Sequence, residues 1–173
     1  MASRGLSRAR QAFTLVEILI VVIIIGLLAG IVLSQFRDPG DQARTASLQA
    51  NLKEIRKQLQ LYKVDHLGSL PAEAQGDTED TFIDQMTGYT DVDGNTRAYP
   101  DDTTFKYGPY IDGVPPNSVS GLRDIRIIQN ARTQFRARSR DGGWYYNAAT
   151  GEFRADLTDE RLAPDGETQL NEL

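Results

Sequence analysis

The sequence predicts an α+β fold, and three observations carry the prediction. An apolar run comes first, from Phe13 to Leu33. An amphipathic stretch comes next, with Leu48, Leu52, Ile55, Leu59 and Tyr62 repeating at spacings of four, three, four and three. Strand-favouring segments appear only late, as LRDIRIIQ, TQFRAR, GWYYN and GEFRAD. Helices segregated from strands indicate α+β. The expected architecture is a long amino-terminal helix packed on a small antiparallel sheet. That helix has a membrane-spanning first half, an amphipathic second half and a break near Pro39.

Each element can be justified in order. Residues Met1–Ala12 carry Arg4, Arg8 and Arg10 and no acid, a charge of +3. The whole chain of 173 residues carries −5, so the remainder carries −5 − 3 = −8. An acidic remainder argues against nucleic acid as a partner, because no broad basic face is available. The chain has no cysteine and one histidine, which excludes disulfides, thiolate chemistry and a His-rich metal centre. Mean hydropathy is −0.41, so the apolar content is concentrated in one region. Phe13–Leu33 measures about 31 Å as a helix, the thickness of a bilayer core. The arginines before it place the amino end in the cytoplasm and the residues after Leu33 across the membrane.

The segment 34–67 is expected to hold a kinked linker and then the amphipathic helix. Pro39 and Gly40 lie in SQFRDPGDQ (34–42), which should interrupt the helical run. Lys53, Glu54, Arg56, Lys57 and Gln58 fall on the solvent side of the stripe. Residues 68–157 read as the globular α+β region. TFIDQMTGYTD is a short helix or irregular. The Pro-, Gly- and Tyr-rich stretch YPDDTTFKYGPYIDGVPPNSVSG is an ordered loop. GWYYN and GEFRAD, joined by AATG, form a hairpin. Trp144, Tyr145 and Tyr146 should divide between core and surface. Residues 158–173, poor in apolar groups and rich in acids, read as a flexible acidic tail.

Several side chains are candidates for chemistry. Glu17 is an acid at the edge of the apolar run; it gains from the helix dipole or snorkels to water. Gly26 and Gly30 make a small-xxx-small pair that permits close helix packing, or they supply local flexibility. Asp91, Asp93 and Asn95 alternate in DVDGNT. The reading is a tight turn, with a calcium loop as the alternative, Asp101 and Asp102 adding ligands if the chain folds back. His66 is a helix-end residue whose charge would suit the local dipole. No phosphate loop, nucleophile elbow or paired catalytic carboxylates is present, so the chain reads as a non-enzyme without a cofactor.

The segment RQAFTLVEILIVVIIIGLLAGIV closely resembles the amino terminus of type IV pilins and type II secretion pseudopilins. LKEIRKQLQLYKVDHLGSLP and YGPYIDGVPPNSVSG resemble major pseudopilins of the G type, and DGGWYYNAATGEFRAD resembles a terminal hairpin of such chains. The resemblance implies a pilin-like fold and cleavage between Ala12 and Phe13 by a prepilin peptidase, with 1–12 as the leader. It implies N-methylation of Phe13. The family usually has glycine where Ala12 stands. Glu17 would then be the fifth mature residue. On an incoming subunit it would pair with the Phe13 amine of its neighbour and set the axial register. The implied role is a structural subunit of a periplasmic, homo-oligomeric pseudopilus that helps export folded proteins. Implied partners are minor pseudopilins, an inner-membrane platform protein and an assembly ATPase. The implied location is the bacterial inner membrane, single pass, with the carboxy-terminal domain periplasmic. The alternatives are a type IV pilus subunit for adhesion, motility or DNA uptake, and a monomeric signal-anchored periplasmic binding module.

Overall fold

The computed structural model describes residues 14–33, 39–101 and 103–173, with only the backbone of 29–33. The leader 1–12, Phe13, the interruption expected in 34–38 and Asp102 lie outside the described residues. The chain divides into two units, Met1–Arg37 and Asp38–Leu173. The first contains α1 (Leu15–Leu33), a helix of 19 residues. Among the described residues, no helix is long and apolar enough to cross a membrane.

The second unit starts with α2 (Pro39–Asp65). Pro39 and Gly40, at the expected break, are both helical and open α2. Proline at the first helical position loses no hydrogen bond, and its fixed φ suits the helix. The predicted stripe is the buried face: Leu48, Leu52, Ile55, Leu59 and Tyr62 are all at most 2% exposed. Each such burial contributes about 1.5–3 kcal/mol. Arg56 departs from the expectation of a solvent side. It is half-buried, and its Nε and Nη2 donate to Phe153 O at 3.0 and 2.8 Å while Nη1 donates to Leu173 O at 2.8 Å.

The first seven residues of TFIDQMTGYTD lie in α3 (Glu79–Thr87), with Phe82 and Met86 buried. Two two-residue strands, β1 (Tyr89–Thr90) and β2 (Thr96–Arg97), then pair antiparallel around the DVDGNT turn. The Pro- and Tyr-rich loop is ordered. Tyr110 N and Ile111 N both donate to Met86 O, at 2.9 and 3.0 Å, and the Gly108–Pro109 peptide is cis.

The main sheet has the order β3-β4-β5, from Ile125–Ile128, Trp144–Asn147 and Glu152–Ala155. β4 and β5 form the predicted antiparallel hairpin, with Tyr146 opposite Phe153. The expectation of a purely antiparallel sheet is corrected, because β3 pairs parallel with β4, Ile125 opposite Trp144. A parallel pair needs a long return, and residues 129–143 supply 15. TQFRAR lies in that return and is not a strand. Its carbonyls go to side chains instead: Asn147 Nδ2 donates to Thr133 O at 3.3 Å and Arg126 Nη2 to Arg136 O at 2.9 Å.

The return also explains why the aromatic strand is not half exposed. Trp144, Tyr145, Tyr146 and Asn147 are all buried. Trp144 and Tyr146 join the core with Phe82, Phe153 and the α2 stripe. Tyr145, on the other face, is covered by Phe135 edge-on at 5.0 Å and by the Arg126 guanidinium at 4.9 Å. Polar tips of the aromatics fasten loops, with Trp144 Nε1 donating to Pro115 O at 2.9 Å and Tyr146 Oη to Pro71 O at 3.0 Å. The expected flexible tail is corrected too. Leu170 and Asn171 are buried, Leu170–Glu172 is a 3₁₀ turn, and Asn171 Nδ2 donates to Leu157 O at 3.2 Å.

Candidate assembly site

The acid that marks the apolar helix is placed by a cap. Thr14 precedes α1, and its Oγ1 and carbonyl accept from Glu17 N at 3.2 and 3.1 Å. Thr14-Leu15-Val16-Glu17 has the S/T-x-x-E spacing of a capping box, a signal the sequence reading missed. The cap fixes Glu17 in the first turn of α1. There the helix dipole favours a carboxylate by about 0.3–1 kcal/mol. The Glu17 side chain is exposed.

Every described side chain of α1, from Leu15 to Leu28, is exposed, and Glu17 is the one ionisable group among them. Leu15 is 83% exposed and Val21 46%. A continuous apolar surface of this extent on a single chain marks a place for lipid or other protein. A Cβ added at Gly26 would meet nothing within 4 Å, so a close approach by another helix there has room. What surrounds Gly30 lies outside the described residues, as do Ala12 and Phe13.

The other candidates turn inward. His66 lies just past the end of α2, as expected, but it is 2% exposed. Its Nδ1 lies 2.8 Å from Tyr62 O, so that nitrogen donates, and Nε2 lies 3.0 Å from Thr90 Oγ1. The ring stacks on Tyr62 with centroids 3.7 Å apart. With both ring nitrogens bonded inside the fold, His66 plugs the end of α2 instead of facing solvent. Tyr110 completes the cluster, donating from Oη to Asp65 Oδ2 at 3.0 Å. Burial pushes the Tyr62 and Tyr110 phenols up, away from ionisation, and Asp91 and Asp65 respectively add to the effect.

DVDGNT is a closed turn. Asp91 Oδ1 accepts from Asp93 N and Asn95 N at 3.0 and 2.9 Å, and Oδ2 accepts from Asn95 Nδ2 at 2.8 Å. Both carboxylate oxygens are engaged within the turn. Gly94 has φ of +82°, and a Cβ there would lie 2.9 Å from Tyr62 Oη. Among the described residues, no group of three or more His, Cys, Asp or Glu side chains is placed to hold a metal ion.

Asp156 is a further residue that sequence reasoning missed. It is fully buried between two guanidinium groups, with Arg126 Nη2 at 2.5 Å and Arg138 Nε at 2.6 Å. A buried charge must be paired in this way. Nothing in the spacing of GEFRAD points to partners 18 and 30 residues earlier.

Residues 7–33 match the family model described as the prokaryotic N-terminal methylation motif. The chain is also 38% identical over 69 residues to the type II secretion system core protein G of Pseudomonas aeruginosa. That similarity covers 40% of this chain and 48% of the relative, so the chain spans about half the length of the curated relative it matches. No solved structure matches. The capped acid that opens the apolar helix, Glu17, lies inside the matched motif.

Proposed function

We propose that the chain is a structural subunit of a type II secretion pseudopilus. The observation that carries this reading is Glu17, held in the first turn of an apolar helix inside the matched methylation motif. On this reading a prepilin peptidase cuts between Ala12 and Phe13 and the Phe13 amine is methylated. Before assembly, Phe13–Leu33 spans the inner membrane with its amino end cytoplasmic. Support comes from its sequence, which has one ionisable group in 21 residues and three arginines before it.

Extraction into a filament replaces lipid around α1 by α1 of other subunits. Glu17 then meets the Phe13 amine of a neighbour, since an unpaired carboxylate in an apolar core costs several kcal/mol. Growth requires a heterologous contact that does not close. Minor pseudopilins, the platform protein and the assembly ATPase are the partners this process needs.

Mass spectrometry of the membrane-extracted protein tests the reading. The expected first residue is N-methylated Phe13. An intact Met1–Ala12 leader in cells with active prepilin peptidase overturns it. Glu17→Ala should be cleaved normally yet give no filaments by electron microscopy, with the thermal unfolding of the globular unit unchanged.

A further inference from the structure

The segment from Arg123 to Arg140 holds six arginines and one acid, Asp124, a local charge of +5. The rest of the chain therefore carries −5 − 5 = −10. Three of these arginines have structural partners. Arg126 and Arg138 pair with Asp156, and Arg123 Nη1 donates to Val114 O at 2.7 Å. Arg132 and Arg136 are exposed, and neither guanidinium pairs with an acid among the described residues.

These two arginines line a pocket of about 390 Å³ together with Thr133, Gln134, Arg126 and Tyr145. Tyr145 is 1% exposed, and its Oη is buried with no hydrogen-bond partner. Asn147 lies near enough to act on this phenol, but both of its side-chain N–H groups are donated elsewhere. Its Nδ2 donates to Asn130 O and Thr133 O at 3.1 and 3.3 Å, and its Oδ1 accepts from Ala149 N at 3.1 Å. Burial holds the phenol in its protonated form, so at neutral pH it is a donor.

A buried neutral donor beside two unpaired guanidinium groups suits a ligand that only accepts hydrogen bonds and carries negative charge. Arginine binds such planar or tetrahedral oxygens through its fork of N–H groups. We propose that this pocket binds an oxyanion, a phosphate or carboxylate group, with Tyr145 Oη donating to it and Arg132 and Arg136 neutralising it. The site is independent of the filament reading. The ligand has two sources, free phosphate or a carboxylate side chain from another copy of this acidic chain.

The test uses the full chain in a non-ionic detergent, labelled with [¹³Cζ]tyrosine. The chain has seven tyrosines, and Tyr145→Phe identifies the reporter by its loss. Inorganic phosphate and acetate are titrated separately, with ionic strength held constant by chloride. The expected result is a saturable shift of the Tyr145 signal in the millimolar range. Arg132→Gln/Arg136→Gln should weaken it at least fivefold with an unchanged thermal midpoint. A response to phosphate alone assigns the free anion, and a response to acetate assigns a carboxylate. No saturable shift with either anion, or full affinity in the double variant, overturns the proposal.

Discussion

α1 and α2 are both long helices, of 19 and 27 residues, and they solve opposite problems. α2 is polar except for one stripe, and that stripe is buried by the chain's own sheet and α3. α1 is apolar on every side, and its described side chains stay exposed. A helix with one apolar stripe needs one partner surface, which a small domain can supply. A helix apolar all round needs surroundings on all sides, which only lipid or several other chains can supply. The stability of the globular unit should therefore be insensitive to α1, and assembly should depend on it.

The largest effect that can break this contrast is a matched pair of truncations. Leu59→Ala removes a fully buried side chain from the α2 stripe. It should cost the globular unit about 3 kcal/mol, within the range for buried leucines. Ile24→Ala, at a side chain 50% exposed, should stay within about 0.5 kcal/mol in the same urea titration. Equal losses in the two variants would show that α1 is part of the same cooperative unit.

Arg56 sharpens the contrast within α2 itself. Its guanidinium bonds two backbone carbonyls, Phe153 O in β5 and Leu173 O. Arg56→Met keeps the stem and removes those charge-assisted bonds, and should cost about 2 kcal/mol. Limited proteolysis should then cut first in the released 157–173 segment. A variant as resistant as the parent would assign the docking of that segment to Leu170 and Asn171 alone.

This residue also shows where the sequence can and cannot be read. The α2 stripe is legible because helical period and burial are the same fact seen twice. Glu17 is legible because an acid at a fixed offset in an apolar run is a rare arrangement. Arg56 reads as solvent-facing because a single charge on a helix says nothing about what reaches over to it. The parallel β3–β4 pairing is accompanied by Arg126 and Asn147 taking carbonyls of 133–136, contacts between side chain and distant backbone that periodicity does not encode. The acidic 158–173 segment misleads for the same reason: its composition is that of a tail, yet Leu170 and Asn171 are buried, Leu173 O accepts from Arg56, and Thr158 and Arg161 bond Asp141.

A smaller effect, of opposite sign, is expected at the far end of α2. Leu67 has φ of +56° and closes the helix, with Gly68 N donating to Lys63 O at 2.8 Å. This is a Schellman closure with leucine where glycine is usual. The Leu67 side chain is 87% exposed, so nothing is lost with it. The left-handed conformation costs a residue with a Cβ about 1–2 kcal/mol, and the freer unfolded chain of glycine offsets part of that relief. Leu67→Gly should stabilise the globular unit by about 0.5–1 kcal/mol. No rise in Tm would mean that the turn relaxes elsewhere.

The smallest effect contrasts a helix held by apolar surface with a loop held by one carboxylate. Asp101 accepts from the backbone N–H of Thr104, Thr103 and Phe105 and from the Thr103 hydroxyl. Those donors, Thr104 first, hold its carboxyl down at about 2, against an ordinary value of 3.8. A depressed folded value adds stability that is complete above the ordinary value and disappears as pH falls toward the folded one. The contribution is therefore lost between about pH 4 and pH 2. Asp101→Asn keeps an acceptor oxygen but cannot titrate. Its Tm should fall less steeply than the parent's across that window, because protonation no longer competes with the Thr104 and Thr103 bonds. Identical slopes would place the acid sensitivity of the globular unit in other carboxylates, with Asp141, whose Oδ1 and Oδ2 accept from Thr158 and Arg161, as the next to replace.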